Sequence, residues 1–349
     1  MKYFKYLSLV VVASILFTSC ADDDNQVAVD PIPVGDYVTG FFVVNEGPFG
    51  GSGSISFIEN DFSETTNNVF ATVNPNDDIG SFVQSAFFDE ERMFIISNGS
   101  NLINVVDRYT LEFIAQIDAG FEVPRYGVVL DNKAYVTNLA SFNSTTDDFI
   151  SVINLETYQV ESSINVNNIA NHIEAYNGKL IVENSAFSDG NSVSLINPSS
   201  QLVEEVIEVG DGLNSMILEN NALYTLSENQ FSEVNLNTFS INQTIDIPNE
   251  NQGAKNLRLH QDQVYYTLGN SVYTNSLSNL SFTEEAIFSY DTNLDFGTFY
   301  GFEVQDNRIF ISDAGDFASN GNVFVFNLNG ELLFETEVGL GPNGFYFNE

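Results

Sequence analysis

From Gly40 onward the chain alternates short apolar runs with polar turns, and the alternation repeats. The recurring phrase is a strand led by an aromatic or branched residue. It appears as Phe42-Val43-Val44-Asn45, Phe94-Ile95-Ile96-Ser97, Tyr135-Val136-Thr137-Asn138 and Ile181-Val182-Glu183-Asn184. It continues as Tyr224-Thr225-Leu226-Ser227, Tyr265-Tyr266-Thr267-Leu268 and Phe310-Ile311-Ser312-Asp313. The seven copies stand 52, 41, 46, 43, 41 and 45 residues apart. A period in the forties built only of strand-like pieces predicts a β-propeller with one blade per repeat. No segment keeps a helical period over ten or more residues.

Each repeat predicts four strands. After the phrase comes a loop, then a strand ending in Asn or Asp, as in Leu102–Asp107 and Asn322–Asn327. A tight turn follows, for instance Asn154-Leu155-Glu156-Thr157, whose first side chain can accept a nearby backbone N–H. The third strand alternates polar and apolar residues, as along Val160–Val166. The fourth is apolar and ends at a hairpin such as Leu130-Asp131-Asn132-Lys133. In an up-and-down blade the strand before that hairpin is innermost, so the chain begins one strand into a blade. The fold expected is therefore all-β: a seven-bladed β-propeller of four-stranded antiparallel blades over residues 40–349. The C-terminal segment Asn343–Phe347 should pair with Phe41–Val44 and close the ring, removing the open edges. Misreading the long first repeat, Phe42 to Phe94, would instead leave six or eight blades.

Ahead of the repeats the pattern changes. Lys2 and Lys5 precede an apolar run from Tyr6 to Phe17, too short to span a bilayer and arranged as a secretory signal. Leu16-Phe17-Thr18-Ser19-Cys20 resembles a bacterial lipobox, which implies a signal peptide over residues 1–19 and lipidation of Cys20. The following Ala21-Asp22-Asp23-Asp24 looks like the surface-export signal of Bacteroidetes lipoproteins. Residues 20–39, with Pro31 and Pro33, read as a lipidated acidic tether. Outer-membrane anchoring and exposure at the cell surface are expected, with membrane contact through the lipid only.

Composition narrows the chemistry. The 349 residues carry 48 acidic and 10 basic side chains, a formal net charge of −38. Cleavage before Cys20 removes Lys2 and Lys5 and no acid, leaving −40. A hydrophobic fraction of 43% separates this chain from acidic disordered ones. Such charge excludes nucleic acid, whose binders cluster Lys and Arg, and disfavours anionic membranes. One cysteine and two histidines exclude disulfide frameworks and Cys/His zinc sites.

Two loop sets share one face of the predicted ring. The long loops 45–51, 139–148, 184–191 and 313–322 each carry a phenylalanine: Phe49, Phe142, Phe187 and Phe317. Exposed rings among Gly, Ser and Asn suit a ligand platform, or else seal the gaps between blades. The second set enters the inner strands at the channel mouth. It brings Arg125 and Tyr126, Asn171 and His172, Asn214, Lys255 and Asn256, Phe299 and Tyr300, and Asn343. Arg125 and Lys255 are two of only eight basic residues in the mature chain, so an anionic or amide-rich ligand is one reading; a local salt bridge is the other. Catalytic residues are not expected, since no nucleophile elbow or three-ligand metal spacing occurs. Asp147-Asp148 is the sort of acid pair that 48 acids produce by chance. Asp313-Ala314-Gly315-Asp316 and Ser188-Asp189-Gly190-Asn191 could offer loop oxygens to calcium without matching EF-hand spacing.

Val43-Val44-Asn45-Glu46-Gly47, the Tyr-Val-Thr-Asn phrase at 135–138 and Ser151–Thr157 resemble YncE-like propellers, closest to lipidated members from Bacteroidetes. The resemblance covers residues 40–349. It implies a surface lipoprotein similar to the BtuG-type proteins, which capture cobalamin and pass it to a TonB-dependent outer-membrane transporter. On that reading Asn45 and Glu46 join the candidate ligand-binding residues. No cofactor is required, and a corrinoid would be cargo. The alternatives are a scaffold binding a surface protein or glycan, and a calcium-dependent propeller hydrolase or lactonase.

Overall fold

A computed structural model describes residues 33–187, 189–219, 221–247, 253–280, 285–290 and 297–348. The signal segment 1–19, Cys20, the tether as far as residue 32, and Ser188 lie outside these. From Val34 onward the chain forms one compact unit.

Seven four-stranded antiparallel sheets make up that unit. Blade 1 runs Pro342–Asn348, Gly40–Asn45, Ser54–Glu59 and Thr65–Thr66 from inside outward; blade 2 runs Val83–Phe88, Arg92–Ser97, Leu102–Asp107 and Phe113–Ile117. Blade 3 comprises Pro124–Leu130, Lys133–Asn138, Phe149–Asn154 and Gln159–Asn165. Blade 4 comprises Ile173–Tyr176, Lys179–Ala186, Asp189–Asn197 and Leu202–Glu208. Blade 5 holds Ser215–Glu219, Ala222–Leu226, Gln230–Asn235 and Ser240–Asp246, and blade 6 holds Ala254–His260, Gln263–Leu268, Ser271–Ser276 and Phe288–Ser289. Blade 7 is Thr298–Gln305, Arg308–Asp313, Asn322–Asn327 and Leu332–Glu337.

Each repeated phrase is the second strand of its blade, and burial explains its composition. Gly40–Asn45 is buried along its whole length, so both faces take apolar or hydrogen-bonded residues. The outer strand Gln159–Asn165 has one wet face, and its residues alternate accordingly. The turns close as their chemistry requires: Asn154 Oδ1 accepts the N–H groups of Glu156 and Thr157, at 2.9 and 3.1 Å. The first repeat is long because Thr65–Thr66 is a brief outer strand followed by a five-residue helix, Val69–Val73, set into the core between blades 1 and 2.

The ring closes through the C-terminal strand. Phe41 pairs with Phe347 and Val43 with Phe345, as expected. Asn348 fastens the seam: its amide donates to the carbonyls of Tyr37 and Arg108, and its Oδ1 accepts from Arg108 Nε.

Candidate functional site

The innermost strands are irregular at the end where they enter the ring, and the irregularity recurs. In blade 3, Pro124 faces Asn138 and Gly127 faces Val136, so Arg125 and Tyr126 oppose Thr137 alone. In blade 6 the bulge falls at Asn256-Leu257, in blade 7 at Phe299-Tyr300, in blade 2 at Gln84 and in blade 1 at Asn343. A bulge breaks the strict in-out alternation of a strand and re-aims side chains. Hydroxyls from the second strands satisfy the backbone groups it frees. Thr137 Oγ1 accepts from the Tyr126 N–H (3.1 Å) and donates to the Asn171 carbonyl (2.7 Å). Ser312 serves the Gly301 N–H and the Pro342 carbonyl in the same way.

These bulges line two cavities that meet. The outer one is an open basin of about 720 Å³ on the face carrying the long loops. Its rim is aromatic: Phe49, Phe142 and Phe187 are 94%, 69% and 68% exposed. Phe142 and Phe187 lie against each other with ring centres 6.1 Å apart, while Phe49 meets Phe82 edge-on at 6.0 Å. The floor is polar. Arg125 donates from Nη1 to Gln84 Oε1 (2.7 Å) and from Nε to Asn171 Oδ1 (3.2 Å), with its guanidinium over the rings of Tyr126 and Phe187. Among the described residues no carboxylate lies within ion-pair distance of Arg125. Its charge is therefore offered to the basin rather than spent on a local salt bridge.

Glu46 seals the opposite side of the floor. Its Oε1 accepts from Tyr300 Oη (2.7 Å) and Asn343 Nδ2 (3.3 Å). Burial and the Glu46 carboxylate push the Tyr300 phenol up, so it remains a donor. Tyr126, Tyr300 and Asn343 line both cavities, so the basin floor and the channel wall share these side chains.

The inner cavity is the central channel, about 520 Å³, to which all seven inner strands contribute. Its charges are Glu174, Glu183, Glu303, His172 and Arg258. His172 Nε2 lies 3.1 Å from Glu174 Oε1, and Arg258 Nε donates to Glu303 Oε2 at 2.7 Å. Burial alone would lower the His172 pKa, but Glu174 and Glu183 together carry it above the ordinary value.

Most sequence-derived candidates reach one cavity or the other: Glu46, Phe49, Arg125, Tyr126, Phe142, Phe187, Tyr300 and Asn343 the basin; Asn171, His172, Asn214 and Asn256 the channel. Four do not. Asn45 is buried inside blade 1, donating to Ser54 and Ser56, because it closes the second strand rather than opening the loop. Phe299 adopts a left-handed backbone (φ 53°) within its bulge, which turns its ring into the apolar core between blades and leaves Tyr300 facing the cavities. Lys255 is exposed but lines neither cavity; the channel cation of blade 6 is Arg258, three residues on. Phe317 packs edge-on against Tyr300, 4.9 Å away, outside the basin lining.

The sequence reading missed Gln84, Glu174, Glu183, Arg258 and Glu303. Glu303 was visible as the one charge inside a largely apolar inner strand, whereas Arg258 stands among Lys255, Asn256 and His260. Glu183 was visible as the one ionisable residue at the third position of the repeated phrase.

Two of the loop acids proposed for calcium take part in local hydrogen bonds, and Ser188 of the second loop lies outside the described residues. Asp313 accepts from the Gly315 N–H and Tyr290 Oη, and Asp316 from the N–H groups of Ala318 and Ser319. Among the described residues no three His, Cys, Asp or Glu side chains gather as a metal site.

The family described as a domain of unknown function (DUF5074) matches residues 39–307. Comparison with curated protein sequences gives no significant match. Solved structures resembling the fold include a quinonprotein alcohol dehydrogenase-like protein from Bacteroides thetaiotaomicron. It has a TM-score of 0.67 at 14% identity over 90% of this chain and 79% of that one. A functionally unknown protein from Desulfotomaculum acetoxidans gives 0.64 at 14% identity over 88% and 98%. A dihydro-heme d1 dehydrogenase, NirN, in complex with DHE gives 0.58 at 12% over 91% and 77%. At such identities the likeness is one of fold.

Proposed function

We propose that this chain, which belongs to the DUF5074 family, is a ligand-capturing propeller whose basin holds a large, partly apolar molecule bearing amide or anionic groups. The observation that carries this reading is the pairing of three exposed rings with a carboxylate-free guanidinium in one cavity. Rigid rings supply contact area at low entropic cost, and a fixed guanidinium binds carbonyls or phosphate. The volume falls within the usual range for small-molecule sites, roughly 300–1,000 Å³.

The specific ligand proposed is a corrinoid of cobalamin type, for which the sequence resemblance at Val43–Gly47 is the support. With it come lipidation at Cys20, outer-membrane anchoring at the cell surface and hand-over to a TonB-dependent transporter. Chain lacking residues 1–20 should bind cyanocobalamin with measurable heat and a spectral shift at micromolar concentration. Absence of both heat and spectral shift would remove the corrinoid. Phe49, almost fully exposed at the rim, favours a second reading in which this face docks a surface protein or glycan.

A further inference from the structure

The central channel holds a charge that the basin does not use. Glu183 is 3% exposed, and its side chain lines the channel. It occupies the third position of the repeated phrase, where the other blades have Val44, Ile96, Thr137, Leu226, Thr267 and Ser312. At that position Thr137, Thr267 and Ser312 each bind the backbone of an inner strand, and an aliphatic residue serves as well elsewhere. In blade 4 Asn171 and His172 likewise oppose residue 183 alone, but the Glu183 side chain meets the Asn171 side-chain amide and, among the described residues, no inner-strand backbone group. The carboxylate here therefore does not take over the backbone role that the hydroxyls have in other blades, and burying one costs several kcal/mol unless it is paired.

Its pairing within the chain is incomplete. Glu183 Oε1 accepts a 3.3 Å bond from Asn171 Nδ2, and its second oxygen has no hydrogen-bond partner among the described residues. The two channel cations are each bonded to another acid, His172 to Glu174 and Arg258 to Glu303. Three carboxylates thus face one guanidinium and one imidazole. The surrounding wall is rich in phenol rings, Tyr126, Tyr300 and Tyr346. Ring faces attract alkylammonium groups, which carry charge on an apolar stem.

We infer that the channel is a second ligand site, for an organic ammonium group that pairs with Glu183 between the tyrosine walls. The site shares Tyr126 and Tyr300 with the basin, but Glu183, which pairs the ammonium, lines the channel alone. Burial raises the Glu183 pKa, against the pull of His172, Asn171 and Arg125, consistent with a carboxylate short of a counter-ion. About 520 Å³ accommodates a short diamine.

The test is calorimetric titration of the purified full-length chain in detergent at pH 8 with putrescine, 1-butanol and potassium chloride. Putrescine should bind, butanol should not, and potassium should not displace it beyond ordinary screening. Glu183→Gln should weaken putrescine by about tenfold or more, as expected when a desolvated charge partner is lost. Cyanocobalamin binding is measured on the same samples, so loss of the basin reading and loss of this one are told apart. Absence of putrescine heat in the wild-type chain, equal binding of butanol, specific displacement by potassium, or undiminished binding in Glu183→Gln would each overturn the assignment. Should Glu183→Gln fail to fold, the butanol and potassium comparisons still decide.

Discussion

Arg125 and Glu183 are joined through one side-chain amide: Asn171 accepts from the Arg125 guanidinium on Oδ1, and its Nδ2 donates to the Glu183 carboxylate. The amide cannot turn over without presenting a donor to the cation and an acceptor to the anion. Its orientation is thereby fixed, and the floor of the basin is tied to the wall of the channel.

Replacing that amide by a carboxylate should be costly. Asn171→Asp sets two acids side by side where a donor stood. A stability loss of about 1–3 kcal/mol is expected at pH 8, shrinking toward pH 5.5 as the pair takes up a proton. Urea unfolding at the two pH values measures it, and a pH-independent loss would contradict the geometry.

Arg125→Lys should keep the fold and lose capture. An ammonium cannot bond Gln84 and Asn171 together while lying flat over two rings. Cyanocobalamin affinity should fall by about tenfold or more with an unchanged melting temperature. Unchanged affinity would remove Arg125 from the site.

Two phenylalanines should separate stability from binding. Phe345 lies in the core of blade 1 against Phe41 and Phe310, so Phe345→Ala should cost about 3 kcal/mol. Phe49→Ala, at the exposed rim, should cost about 0.5 kcal/mol or less while weakening ligand capture. Chemical denaturation and titration of both variants check the contrast.

Asp148 should make the domain sensitive to pH. It is buried, and burial pushes its carboxyl up to about 6, against the pull of the Ala170 N–H that it accepts and of nearby Arg125, with Asp147 adding repulsion. The folded value exceeds the ordinary 3.8, so the folded chain holds this proton more tightly. Its stabilising contribution is complete below the unfolded value and is lost as pH rises through about 6. Asp148→Asn retains an oxygen for Ala170 and removes the charge. The variant should therefore gain on the wild type as pH goes from 5 to 7.5; a constant difference in melting temperature would refute this.

The blade count, the strand phase and the ring closure were legible because burial repeats with the sequence: the same phrase serves the same buried strand seven times. The site was legible only in part, because it is built where the repeat fails. Neither the bulge at Phe299-Tyr300 nor the one at Asn256-Leu257 has a sequence signature of its own. Assigning the entry loops to the channel mouth by repeat position alone set Phe299 and Lys255 in the site. The channel mouth itself was found, since loops feeding inner strands must converge on the axis. Asn45 misled for another reason: Asn at that point is equally a blade-internal hydrogen-bonding residue, as Asn138 and Asn184 show.

Synthesis order gives the seam in blade 1 a further meaning. Gly40–Asn45 is the first strand of the ring to leave the ribosome, and its inner partner, Pro342–Asn348, is the last. That late strand also brings Asn343 to the basin and Tyr346 to the channel. A chain interrupted before residue 342 has an open edge and neither cavity complete. Pairing of this last strand with Gly40–Asn45 and completion of both cavities are therefore one event.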